Sequence, residues 1–185
     1  MNILIDKLPT DYEGLKIETN FRSFILFELL MQDNNLKTEE KIYLALNLFY
    51  KETPKDIKKA IEGILWFYAR GDSDKKSGKK NEKSGKKNIY SFEYDAYLIY
   101  SAFWHDYRLD LNEIDYLHWW KFKSLFEGLN EENKICKYMG YRAVDLNKLK
   151  TKEEKDKYRK LKQLCALPDE RTEEEKEQDF ANAFW

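Results

Sequence analysis

Outside residues 72–89, apolar residues recur at three- and four-residue spacing through most of the chain from Asn20 to Leu167, a period that fits helices and little else. The residues that interrupt such a pattern are scarce. There are 7 Gly and 3 Pro in 185 residues, under half the usual combined share of about 12%. Turn-rich all-β architectures are excluded on that ground. The caps agree with the period. Asn20 predicts the start of a helix through FRSFILFELLMQ, with Phe21, Phe24, Ile25, Leu29 and Met31 on its apolar side. Thr38 with Glu39 and Glu40 opens a second helix, the acids sitting at the positive end of its dipole. Thr53-Pro54-Lys55-Asp56 predicts a third, with proline at the first helical position, Ile57, Ile61, Ile64 and Tyr68 on one face, and a stop at Gly71.

Further on, Ser91 caps the most apolar stretch, FEYDAYLIYSAFWHDY. Its stripe of Phe92, Ala96, Ile99, Phe103 and Tyr107, widened by Tyr100 and Trp104, marks a central helix. Asp110 and Glu113 are spaced as a capping box for IDYLHWWKFKSLFEG, with Gly128 suited to a left-handed end. A short helix follows over 130–138, closed by Gly140, and Thr151 with Glu154 opens a charged helix to about Ala166. Before all of these, Ile3-Leu4-Ile5 and Leu15-Lys16-Ile17 are short β-prone runs, read as a small hairpin or two extended pieces. The expected fold is mainly α: a compact domain of about six to eight helices with a small N-terminal β-hairpin or extended segment.

Two segments stand apart from that domain. Lys76-Ser77-Gly78-Lys79-Lys80-Asn81 recurs as Lys83-Ser84-Gly85-Lys86-Lys87-Asn88, with no apolar residue to bury. Seven lysines there meet only Asp72, Asp74 and Glu82, a balance of about +4. A finger that contacts phosphates is one reading. A solvated, flexible loop over 72–89 is the favoured one, because no aromatic residue is interleaved to stack on bases. The end of the chain, DERTEEEKEQD, holds seven acids and two bases, about −5, before Phe180-Ala181-Asn182-Ala183-Phe184-Trp185. Residues 1–168 are therefore expected to form one helical domain, with 169–185 an acidic tail bearing an aromatic end.

Whole-chain charge nearly cancels, 33 Lys+Arg against 34 Asp+Glu, which argues against a generic nucleic-acid binder. Aromatic content of 16% argues against disorder. No window approaches the roughly 18 apolar residues of a membrane span. The start, MNILIDKLPTDYEG, has no secretory leader pattern. Cys136 and Cys165 are too few and too far apart for a zinc knuckle, and read as reduced thiols.

Catalytic chemistry finds little purchase. His105 and His118, on what are expected to be successive helices, could approach Asp95, Asp106 or Glu113 as a metal site. The helical spacings of di-iron and zinc motifs are missing, however. His118 lies in register with Ile114, Leu117, Phe122 and Leu125, which suits a core histidine held by one hydrogen bond. Glu93, Tyr94 and Asp95 are conceivable acid–base groups, but carboxylates beside tyrosines more often satisfy hydroxyls or pair with bases. No nucleophile motif or phosphate loop is present. The expectation is a non-enzyme with no metal and no cofactor. Protein binding remains: Trp119 and Trp120, about 100° apart around one helix, and the terminal Phe184 and Trp185 are the candidate contacts.

Several stretches carry a family resemblance: Phe27-Glu28-Leu29-Leu30-Met31-Gln32-Asp33, Ala60 through Tyr68, Tyr90 through Ala96, Ile99-Tyr100-Ser101-Ala102-Phe103, and above all Tyr116-Leu117-His118-Trp119-Trp120-Lys121-Phe122. Met139-Gly140-Tyr141-Arg142 and Leu167-Pro168 continue it. Over roughly residues 2–170 the chain resembles the bacteriophage "gene product fifteen" family of tailed-phage and prophage proteins. That resemblance implies a tail-module protein acting in the cytoplasm of the bacterial host, either a tail assembly chaperone or its partner. The expected partners are the tape-measure protein and, beyond it, the tail-tube protein or a companion tail chaperone. The alternative it leaves open is a minor structural or adaptor protein retained in the virion tail. It implies no catalytic residues.

Overall fold

The computed structural model describes residues 2–52, 54–71 and 88–168. Residues 72–87 of the lysine-rich segment, the tail 169–185 with Phe184 and Trp185, and the predicted cap Thr53 lie outside the described residues. Among the described residues the chain is mainly α, as the spacing predicts. A two-stranded hairpin, β1 (Asp11–Tyr12) and β2 (Leu15–Lys16), precedes α1 (Phe21–Gln32), α2 (Thr38–Phe49), α3 (Ile57–Tyr68), α4 (Ala96–Tyr107), α5 (Trp119–Glu127), α6 (Lys134–Ala143) and α7 (Lys152–Leu164). A single 3-10 turn at Leu146–Lys148 joins the last two.

The hairpin pairs Asp11 with Lys16 and Tyr12 with Leu15. Glu13 and Gly14 at its turn both have positive φ, 49° and 84°, which is the turn whose twist matches a hairpin. Ile3-Leu4-Ile5 takes no part in it. Asn2 accepts the Leu4 N–H through its side chain and the Ile5 and Asp6 N–H through its carbonyl. Those local bonds curl the segment, and Leu4 is left 90% exposed.

Local capping decides most helix starts. The Asn20 side chain accepts the Arg22 N–H at 3.2 Å, and the Thr151–Glu154 box forms in both directions at 3.1 and 3.2 Å. The α1 face that is buried is Phe21, Phe24, Phe27 and Glu28; Ile25 and Leu29 are only partly covered and Met31 is exposed. Three other starts are displaced. Helix α3 begins after Pro54, because the Asp56 carboxylate captures the Lys59 N–H at 3.0 Å. Helix α4 begins four residues beyond Phe92. Ser91 Oγ takes the Glu93 and Tyr94 N–H while Asp95 takes the Ser91 N–H, which closes a turn first. Helix α6 starts at Lys134 and runs through Gly140, where helix and solvent are both compatible with glycine.

The largest departure concerns 110–118, which is not helical. Asp110 takes the Asn112 N–H at 2.8 Å instead of capping a helix. The Leu117 carbonyl accepts from Phe21, and the Trp119 N–H donates to Thr19, an antiparallel bridge between Asn20 and His118. Backbone groups engaged with a distant segment are not available to a helical turn. Gly128 is likewise not left-handed, with φ −93°. Its lack of a side chain instead makes room for the Tyr107 hydroxyl, which would lie 3.2 Å from a Cβ and donates to the Leu125 carbonyl.

Helix α5 is the hub, packed by α1, α3 and α4. Phe122 stacks on Phe21 at 4.9 Å and on Phe103 at 5.1 Å, and Trp119 stacks on Phe24 at 5.0 Å. Each such pair adds about 0.5–1.5 kcal/mol beyond area burial. Mid-helix Gly63 permits one more close approach: a Cβ there would stand 2.9 Å from the Tyr50 hydroxyl, which donates to the Ala60 carbonyl. Gly63→Ala gains about 1 kcal/mol of helix propensity but disrupts a buried hydrogen bond whose loss costs about 1–3 kcal/mol. A net destabilisation is expected, seen as a lower urea midpoint at unchanged slope.

His118 is buried, but not as a helix-face residue. It caps α5: Nδ1 accepts the Trp120 N–H at 3.1 Å, and Nε2 faces the Pro9 carbonyl at 3.0 Å. Both contacts are met only by the neutral imidazole carrying its proton on Nε2. Burial pushes its pKa below the ordinary 6.5, the Pro9 contact opposing. The unfolded chain therefore takes up that proton first, so the contribution of His118 is complete above about pH 6.5 and declines as pH falls below it. Unfolding midpoints compared at pH 7.5 and 5.5 are expected to drop more in the wild type than in His118→Asn, which keeps a cap but not the titration.

Candidate partner-binding cleft

Trp119 and Trp120 are core residues, 0% and 3% exposed. Trp119 Nε1 donates to the Tyr68 carbonyl and Trp120 Nε1 to the Phe67 carbonyl. The two indoles do diverge around α5, but core lies on both sides of that helix, so both are enclosed. Phe184 and Trp185 lie outside the described residues. The histidines are not brought together either: His105 is on the outer side of α4, paired with Asp106 at 2.8 Å, while His118 is enclosed. Asp95 pairs with Arg142. Among the described residues, no group of three His, Cys, Asp or Glu side chains is arranged to hold a metal ion. Cys136 and Cys165 are free thiols.

What the fold does build is a cleft of about 1160 Å³ between the C-terminal half of α1, the end of α3, the 88–90 segment and the turn after α6. Phe27, Met31, Leu65 and Val144 supply apolar lining, and Lys148 and Lys162 stand on its basic side. A second hollow of about 580 Å³ shares Leu65 and Tyr68 and continues toward Arg70, just past α3, and Lys123 and Glu127 on α5. Leu65, 49% exposed, stands on the ridge between them.

A buried carboxylate sits in the cleft wall. Glu28 is 7% exposed and accepts the Tyr68 hydroxyl at 3.0 Å and the Tyr90 hydroxyl at 3.3 Å. Desolvation raises its pKa above the ordinary 4.5, with the two hydroxyls and the Lys123 ammonium pulling the other way. Burial and the adjacent Glu28 charge push both tyrosines well above their ordinary 10. Lys123 lies over the Trp119, Tyr90 and Phe126 rings at 5.5–5.7 Å. The tyrosines thus stay protonated as donors to Glu28, an arrangement that fixes the cleft wall.

The opposite wall is held by Arg142. Its guanidinium forks onto Asp95 at 2.6 and 3.0 Å and also donates to the Ile89 and Cys165 carbonyls. Lys162 donates to the Arg142 and Val144 carbonyls at 2.7 and 2.6 Å. The segment after the lysine-rich repeat, α6 and α7 are thereby locked together beside the cleft. Glu28, Tyr68, Tyr90, Arg142 and Lys162 were not singled out by sequence reasoning. A signal for the first four did exist: each falls inside a stretch that carries the family resemblance, and the fold gathers four of those stretches around one cleft.

No curated protein and no solved structure matches the chain. A protein-family model described as "Bacteriophage Gp15 protein" matches residues 4–167, essentially all of the helical domain together with the lysine-rich segment. The chain is a bacteriophage protein and belongs to the Gp15 family.

Proposed function

We propose that this protein is a phage tail-morphogenesis factor, a tail assembly chaperone or its companion, whose Glu28 cleft receives an amphipathic helical segment of the tape-measure protein. One observation carries the proposal: four separate stretches of family resemblance converge on a single cleft with an apolar floor, a buried carboxylate and a basic side. A helix laid in a groove by its apolar face is a recurrent mode of peptide recognition. A long coiled protein awaiting assembly exposes many such faces. The site of action is then the host cytoplasm, with the tail-tube protein or a companion chaperone as further partners. None of the described helices is long and apolar enough to cross a membrane.

Co-expression tests this directly. The tape-measure protein should become soluble and co-purify with the wild-type chain, and should do neither with Leu65→Arg, which places a charge on the exposed ridge. That substitution is expected to change stability by no more than about 0.5 kcal/mol. A tape measure that stays insoluble beside the wild-type chain, with no complex recovered, overturns the proposal. Stoichiometric recovery of the chain from purified virions by mass spectrometry assigns it instead as an adaptor retained in the tail.

A further inference from the structure

Helix α4 turns its buried side, Ile99, Ala102 and Phe103, toward the core. Its other side is unusual for this chain. In a sequence that is 36% charged, no charged residue occurs between Asp95 and His105. Tyr97 is nonetheless 90% exposed and Trp104 46%. Tyr97, Ser101, Trp104 and Arg108 fall within an arc of about 60° on a helix of 3.6 residues per turn. They form one straight aromatic stripe facing away from the domain. Its ends carry opposite charges: Glu93 is exposed before the helix and Arg108 is exposed at its left-handed cap, φ 53°. Neither makes a salt bridge among the described residues.

The stripe is self-complementary. Glu93 and Arg108 are placed symmetrically about a midpoint between Tyr100 and Ser101, and Tyr97 and Trp104 share that same midpoint. A twofold axis there, with two α4 helices antiparallel, sets Glu93 of each copy against Arg108 of the other and Tyr97 of each against Trp104 of the other. The small Ser101 lies beside the axis, where two helix backbones come nearest. Isologous pairing requires this kind of self-matching order of residues, and a tape-measure helix or a lone tail segment does not. We infer that the outer face of α4 is a homodimer interface, occupied by α4 of a second copy of this chain. It is separate from the cleft, and its test does not involve the tape-measure protein.

Sedimentation velocity on the full chain, across a range of concentrations, is expected to show a monomer–dimer equilibrium. Trp104→Ala should weaken the dimer about thirtyfold, as loss of a tryptophan hot spot does. The charge pairs give a sharper readout. Glu93→Arg alone and Arg108→Glu alone each set like charges together at both ends and should sediment as monomers. Mixing the two single variants should restore a heterodimer, since each bad end of one then meets its complement on the other. All these positions are exposed, and circular dichroism of each variant checks that it is folded. A wild-type chain that stays monomeric, its α4 face covered by its own tail or by solvent, overturns the inference. So does a dimer indifferent to these substitutions, or a mixture of the charge variants that stays monomeric.

Discussion

Arg142→Ala is expected to lower the melting temperature by about 10–15 °C. The ion pair it breaks is enclosed, with Arg142 and Asp95 side chains only 8% and 4% exposed. Removing one partner of a buried pair costs about 3–5 kcal/mol, because the other charge is left without compensation. For a chain of this size each kcal/mol moves the midpoint by about 2–4 °C. More than the carboxylate is stranded: the Ile89 and Cys165 carbonyls lose the same guanidinium. Arg142→Lys keeps the charge but not the fork, and should fall between wild type and alanine. Adding Asp95→Asn to Arg142→Ala should recover part of the loss, since an amide tolerates burial and still accepts the Ser91 N–H. Scanning calorimetry on the three variants checks the order. A loss for Arg142→Ala below about 1 kcal/mol would mean that water reaches the pair.

Trp119→Ala should be of similar severity, about 3–5 kcal/mol. The indole is fully buried and stacks on Phe24, Tyr68 and Phe122 at 5.0, 5.8 and 5.7 Å. Its removal opens a cavity where α1, α3 and α5 meet and leaves the Tyr68 carbonyl without its 3.3 Å donor. Because Tyr68 also holds Glu28, the cleft wall should loosen with it. Trp104→Ala, on the outer side of α4, is the contrasting control in the dilute monomer and should shift stability by no more than about 0.5 kcal/mol. Urea titrations followed by far-UV circular dichroism separate the two. Comparable midpoints for both variants would contradict the placement of Trp119 at the centre of the core.

Features that depend on a few neighbouring residues were legible in the sequence. Asn20 and the Thr151–Glu154 box cap as predicted, since a side chain and an N–H two or three positions away settle the matter. Features that depend on distant chain were not. The helical spacing through Ile114 and Leu117 is overridden by bonds to Thr19 and Phe21, nearly a hundred residues earlier. An imidazole serving as the α5 cap falls outside the usual capping residues and shows only once Pro9 arrives to hold its other nitrogen. Trp119 and Trp120 suggested a surface anchor because neighbours on a helix diverge. Their divergence is real, and both are buried because core lies on both sides of α5. The cleft was invisible as a site because its members come from five segments between Phe27 and Lys162, joined by Tyr–Glu and Arg–Asp contacts that no local pattern encodes.

Hydrogen–deuterium exchange of the chain alone and in complex with the tape-measure protein tests the cleft most directly. Slowed exchange should concentrate at the end of α1, the end of α3, the 88–90 segment and residues 142–148, with the outer face of α4 unchanged by the tape measure. Protection elsewhere with those four segments unaltered, or a complex that protects nothing in the described domain, would contradict the assignment of the Glu28 cleft as the partner-binding site.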